Sequence, residues 1–390
     1  MTYMSEAQLT MTGVQLTSSP EKVLASIADV KELNDSSVTN AGVLSAILRG
    51  FELPKIYVQP DVERKGKVHL DEDIQLPSVD LSVFRLAEDD PRRKESLATI
   101  VNSCKTWGFI QVVGHGVDLH MIKRCEAEAH RLFDLPVSVK EKVLRVPGAL
   151  YGYGSNFFRN LTAMNWAESF HISHANVREY AAKLWPTEYE QFSSAIEEYI
   201  TQVQDLGDRF RRILTEGLGV PRDHFDQYFG EGDALATLRL NFFPTCPEPS
   251  KALGLKSHRD PHFFTLLHQD EIGGLQIWNE GRDEWFNVKP DRNSLIINVG
   301  DILQAASNGV YRSVLHRVVV NSSKSRLSMA CFYNTRATVV SPPELISAEN
   351  PQRYRPVRWE DYAKEAYTIT TGKVSQIDQL YGIPEQQHKS

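Results

Sequence analysis

From residue 234 onward the chain breaks into short β-rich runs, and this pattern limits the fold more than any other feature. ATLRLNFF, FTLLHQ, GLQIW, SLIINVG, SVLHRVVV and SMACFYN are separated by Gly, Pro, Asn and Asp turns. Strands of this length with such frequent turns predict a β-sandwich or closed barrel rather than a parallel sheet. Helical signals precede them. PRRKESLATIVNSCKTWG (91–108) has Pro near its start, apolar residues at helical spacing and Gly at its end. Further helices are expected near 118–134 and across 187–217, with strands at LPSVDL (76–81) and FIQVVGHGV (109–117). The expected organisation is a leader with helical fragments over 1–75, an α/β region over 76–233, a β core over 234–340 and a helical tail over 341–390. The fold class is therefore mainly β, with helices packed around the core.

Charge and composition narrow the function. The net charge of −7 carries no block of like charge, so a nucleic-acid partner is not expected. Cys104, Cys125, Cys246 and Cys331 lie far apart with no CxxC pair. That argues against a disulfide framework or structural zinc and suits a reducing compartment. The longest apolar runs are too short to span a bilayer, so no membrane partner is expected. The first residues, MTYMSEAQLT, have neither the basic nor the apolar region of a secretory signal. The cytosol is the expected location and a monomer the expected state.

The chemistry concentrates at His258-Arg259-Asp260 and at His316 in SVLHRVVV. On a strand, side chains at i and i+2 share a face, so His258 and Asp260 can point together while Arg259 turns away. A third ligand from a distant strand, His316, closes one triangular face of an octahedron. Two neutral imidazoles and a carboxylate leave three positions open, the arrangement of a non-haem Fe(II) oxygenase. HxD alone is a common pair and also describes a surface His beside a turn Asp. Ten residues beyond His316 come Arg326 and, at i+2, Ser328 in RLSMACFY. A buried guanidinium needs an anion, and its planar fork suits a carboxylate. A structural salt bridge is the other reading, but the spacing from His316 favours a dicarboxylate co-substrate.

These residues resemble the plant-type 2-oxoglutarate/Fe(II) dioxygenases. LPSVDL and WGFIQVVGHGV look like that family's N-terminal signature. LRLNFFPTCPEP, GLKSHRDPHFFTLLHQDEIGGLQIW, NVGDILQAASNGVYRSVLHRVVVN and RLSMACFY look like its catalytic blocks in order. The resemblance implies a double-stranded β-helix, or jelly roll, with His258, Asp260 and His316 on iron. It implies Arg326 and Ser328 on the distal carboxylate of 2-oxoglutarate, with Asn241 near the co-substrate. It also implies O2 as oxidant, ascorbate as a supporting reductant, and decarboxylation to succinate coupled to hydroxylation of a small-molecule substrate. Phe243 stands where the family usually has Tyr, whose hydroxyl helps hold that carboxylate.

A finer resemblance is to gibberellin 20-oxidases, through VPGALYGYGSNFFRNLTAMNWAESFHIS (146–173), VVSPPELIS and RYRPVRWEDY. MNWAES replaces that group's LPWKET pattern, in the region where substrate choice is expressed. The substrate this implies is a gibberellin-type diterpenoid acid. The alternatives are a flavonoid or alkaloid, or a silent ligand-binding member of the fold. Trp166, Phe157, Phe158 and Tyr153 are the expected apolar wall for it, and Arg159 or Arg239 the partner of its carboxylate. Other nearby histidines carry plainer readings. His268 is expected as a hydrogen-bonded core residue and His115 as a turn-former. His262, at i+4 from His258, would pair with it on a helix but not on a strand.

Overall fold

A computed structural model describes residues 53–64, 66–68, 73–146, 149–154, 163–229, 234–366 and 374–383. Local chemistry starts its helices. Asp90 caps Pro91–Thr106, its carboxylate accepting from the Arg92 amide at 2.9 Å, with Pro in the first turn. Asp118 does the same for Leu119–Phe133 through the His120 amide. The long helix Tyr189–Gly217 buries Phe192, Ile196, Tyr199, Val203, Leu206 and Phe210, a stripe with helical period. All three coincide with the helices expected from sequence. No helix among the described residues is long and apolar enough to cross a membrane.

Two sheets face each other, as a double-stranded β-helix requires. The smaller runs β1 (Lys67–Val68), β10 (Glu284–Asn287), β9 (Leu275–Asn279), β12 (His316–Val318) and β7 (Leu255–His258). The larger runs β2 (Ser78–Asp80), β3 (Phe109–Val113), β11 (Leu295–Val299), β8 (Phe264–Gln269), β13 (Arg326–Thr335), β6 (Ala234–Phe243), β5 (Glu168–Ile172) and β4 (Gly152–Tyr153). Most neighbours pair antiparallel, β13 against β6 in continuous register from Arg326↔Phe243 to Thr335↔Ala234.

Alternation along these strands separates two chemistries. Ile110, Val112, Leu238, Leu240, Phe264, Leu266, Ile297, Leu327, Met329 and Cys331 face the helices and form the main hydrophobic core. The opposite face carries Arg239, Asn241, Thr265, Asn298, Arg326 and Ser328 toward the smaller sheet, where they line a cavity. A period of two places every second residue of a strand on that polar face. The jelly roll thus places its polar groups, together with a share of apolar ones such as Phe109 and Leu275, toward the cavity and its main core under the helices.

Candidate active site

β7 and β12 are short neighbours, paired so that His258 stands directly opposite His316. Their rings lie 4.2 Å apart between centroids. β7 ends at His258, and Asp260 lies just past it rather than within the strand. The i, i+2 relation still brings both to the same side, while Arg259 turns away and its Nε donates to the Ser313 carbonyl at 3.2 Å. Asp260 Oδ1 sits 3.7 Å from His258 Nε2 and 3.8 Å from His316 Nε2. Among the described residues, His258, Asp260 and His316 are the group placed to hold a metal ion, with ligand atoms within 4.8 Å of one another.

The protons are arranged for this. His258 Nδ1 lies 2.7 Å from the Lys256 carbonyl and His316 Nδ1 lies 3.1 Å from the Val314 carbonyl. A carbonyl only accepts, so each Nδ1 carries the hydrogen and each Nε2 keeps its lone pair for a cation. Burial, then the neighbouring His316, push His258 down to about 4, which keeps that imidazole neutral. Asp260 divides its oxygens. Oδ2 accepts from Thr265 Oγ1 at 2.6 Å and Asn298 Nδ2 at 2.8 Å, leaving Oδ1 to face the imidazoles. Burial would raise this carboxyl, but the imidazoles of His316 and His258 hold it well below the ordinary range.

Arg326 and Ser328 line the same cavity on β13, facing Asn241 on β6. Arg326 is buried. Its Nη2 donates to Gln269 Oε1 at 2.9 Å and its Nη1 to Ser328 Oγ at 3.3 Å. Arg326 Nε and Asn241 Oδ1 are buried without a partner. Burial brings the guanidinium down to about 10, and Asp270 opposes that, so it stays charged at neutral pH. A charged, incompletely satisfied fork at the cavity wall calls for an anion. The donor set therefore fits divalent iron with open positions, and the Arg326 corner fits a carboxylate. Phe243 lies across from Arg326, its ring centroid 5.0 Å from the guanidinium carbon.

Two of the four residues expected in the substrate wall, Trp166 and Tyr153, lie away from the cavity. Trp166 does not line the cavity. It is fully buried in a separate small core with Leu53, Tyr57, Cys246 and Ala252, its Nε1 donating to the Pro244 carbonyl at 2.9 Å. Tyr153 is also buried away from the cavity, and its hydroxyl donates to Glu168, which pairs with the buried Lys140 at 2.7 Å. Phe157, Phe158 and Arg159 lie outside the described residues. Among the described residues, Phe109 and Phe332 are the phenylalanines that line the cavity, and Arg239 adds a second cation to its wall. His262 stacks on Phe332 instead of joining the metal group, at 4.2 Å between centroids. His268 Nε2 meets Glu126 at 2.8 Å, and His115 Nδ1 accepts from the Val117 amide at 3.1 Å, both as expected. Thr265, Asn298 and Gln269 went unread in the sequence. An Asn interrupting the apolar run SLIINV was the available signal for one of them.

Residues 234–335 match the model of the 2OG-Fe(II) oxygenase superfamily, and 76–188 match that of the non-haem dioxygenase N-terminal region from morphine synthesis. Jasmonate-induced oxygenase 4 of Arabidopsis thaliana is 35% identical over 317 residues, covering 80% of this chain and 88% of the relative. Gibberellin 20 oxidase 2 of the same plant is 34% identical over 341 residues, covering 84% and 86%. The crystal structure of JOX2 in complex with 2OG, Fe and JA superposes with a TM-score of 0.73 at 30% identity, covering 92% of this chain and 97% of that one.

Proposed function

The chain belongs to the 2OG-Fe(II) oxygenase superfamily and is a 2-oxoglutarate-dependent dioxygenase, and from that premise we propose that it oxidises a mostly apolar small molecule bearing a carboxylate, with a gibberellin-type diterpenoid acid first among candidates. His258, Asp260 and His316 hold Fe(II). Arg326 and Ser328 take the distal carboxylate of 2-oxoglutarate, beside Asn241. Bound iron and co-substrate supply activation of O2, with succinate and CO2 formed as the substrate C–H bond is oxidised. The chain's own share is to orient both molecules, neutralise their charge and exclude water.

One observation carries the substrate reading: among the described residues, two arginines line the cavity wall. Arg326 serves the co-substrate. Arg239 stands on β6, two residues before Asn241 and across from Ala330 on β13, and its charge gives the wall it shares with Phe109, Leu255, Leu275 and Phe332 a positive potential that suits an anionic ligand. Phe109, Leu255, Leu275 and Phe332 supply the apolar surface, whose burial contributes about 25 cal/mol per Å2 of ligand. Gibberellin 20-oxidases among the relatives, and sequence motifs of that type, support a diterpenoid acid. The JOX2 complex with JA supports JA as a second candidate.

The test is anaerobic loading with Fe(II) and 2-oxoglutarate, then exposure to O2 with gibberellin precursors, JA and flavonoids, read by mass spectrometry and succinate release. Oxygenated acids are expected. Arg239→Ala should raise KM for the acid about tenfold or more while leaving KM for 2-oxoglutarate nearly unchanged, as loss of a charge-assisted hydrogen bond to the substrate carboxylate predicts. Oxidation of flavonoids alone would sink the acid reading and leave the oxygenase intact.

A further inference from the structure

The ladder joining the two strands that carry the imidazoles is short and irregular, although β12 is paired on its other side, in continuous register, with β9. β7 has four residues, β12 has three, and the register between them shifts between His316 and Val318. So short and irregular a ladder has few hydrogen bonds to set the distance between His258 and His316. Alternation turns the residues beside the ligands, Ser257 and Arg317, toward the outer face, and neither lines the cavity.

On that outer face both meet one residue, Glu63. Ser257 Oγ donates to Glu63 Oε2 at 2.9 Å, and Arg317 Nη1 donates to the Glu63 carbonyl at 3.0 Å, across 194 and 254 residues of chain. Arg317 is itself fixed. Its Nε donates to Gln276 Oε1 at 2.7 Å on β9, and its guanidinium carbon lies 4.1 Å from the centre of the Trp285 ring on β10. Glu63 belongs to the segment Leu53–Arg64, which is tied down along its length. The Met164 amide donates to the Ile56 carbonyl at 2.7 Å, Gln59 Nε2 to the Met164 carbonyl at 2.6 Å, and the Gln59 amide to the Lys251 carbonyl at 2.9 Å. Tyr57 packs edge-on against Trp166 at 5.2 Å.

We propose that Glu63 is a positioning residue for the metal centre: an N-terminal strap holds the His258 and His316 strands in register from outside the barrel. This rests on the reading of His258, Asp260 and His316 as iron ligands. The strap makes no contact with the metal. It bridges two strands whose mutual ladder is short and irregular, so its loss should appear in metal affinity before it appears in anything else.

The experiment uses the full chain stripped of metal. Glu63→Ala, Glu63→Gln, Ser257→Ala and the Glu63→Ala/Ser257→Ala double variant are titrated with Fe(II) anaerobically by calorimetry. Co(II) is added in parallel to read the d–d spectrum, and apo melting temperatures are recorded. Loss of a partner bonded directly to a ligand typically costs 10–100-fold in metal affinity, and Glu63 acts one residue further out, so each alanine variant should fall at the low end of that range, about tenfold weaker for Fe(II), and shift the Co(II) bands. Coupled residues are not additive, so the double variant should fall no further than either single one. Glu63→Gln, whose amide oxygen still accepts from Ser257, should return to within about threefold of wild type. Affinities and Co(II) spectra unchanged in Glu63→Ala and Ser257→Ala, even with lowered melting temperatures, would show that the strap only packs. If Glu63→Ala does not fold, Ser257→Ala decides alone. Failure of the underlying ligand assignment reads differently: His258→Ala would then bind iron as well as wild type.

Discussion

Asp260 gives its two oxygens to different tasks, one anchored by Thr265 and Asn298, the other turned to the imidazoles. Asp260→Asn keeps the shape and removes the charge that welcomes a divalent cation. The variant should bind Fe(II) far more weakly and lose turnover, and a metal titration checks both. Arg326→Lys keeps the charge but loses the planar fork. It should raise KM for 2-oxoglutarate about tenfold or more while iron binding holds, since a hydrogen bond to a charged group is worth roughly 1.5–3 kcal/mol. Phe243→Tyr works in the opposite sense. Its ring already lies beside the Arg326 guanidinium, so an added hydroxyl should lower that KM by about threefold to tenfold. At this scale the sequence was most legible. HRD, the distant His and RLS each project by a period of two, which needs no knowledge of the rest of the chain. The residues that orient them stayed hidden, because Thr265, Asn298 and Gln269 lie on strands whose order no local pattern reports.

Among the elements, the long helices and the β-rich runs announced themselves through capping residues, period and turn chemistry. The segment around Trp166 did not. Its aromatic character suggested a substrate wall, yet the partner that buries it, Tyr57, comes from the strap more than a hundred residues earlier in the chain. Contacts between segments so far apart leave no trace in either one's periodicity. The consequence is measurable. Trp166→Ala removes a fully buried ring and a hydrogen bond to the Pro244 carbonyl, a change that typically costs about 3–5 kcal/mol. The melting temperature should fall clearly, with KM for substrate and for 2-oxoglutarate both nearly unaltered in the protein that remains folded. A selective rise in substrate KM would restore Trp166 to the binding wall.

For the molecule as a whole, metal binding and folding are linked, because an unfolded chain does not bring His258, Asp260 and His316 together. Free Fe(II) at a hundred times its dissociation constant should stabilise the fold by about 2.7 kcal/mol. Anaerobic melting should therefore show a higher transition with Fe(II), its loss on chelation, and no shift in Asp260→Asn. The arrangement of the larger sheet carries a further consequence. Its apolar face, from Ile110 to Cys331, is spent on the helices, while the catalytic cavity is lined from the other face by a separate set of side chains. Exchanging Leu267, Ala330 or Phe332 for residues of other size therefore reshapes the reaction chamber without opening holes beneath the helices. A lineage, or a laboratory, can rewrite what this scaffold accepts while the residues that keep it folded stay as they are.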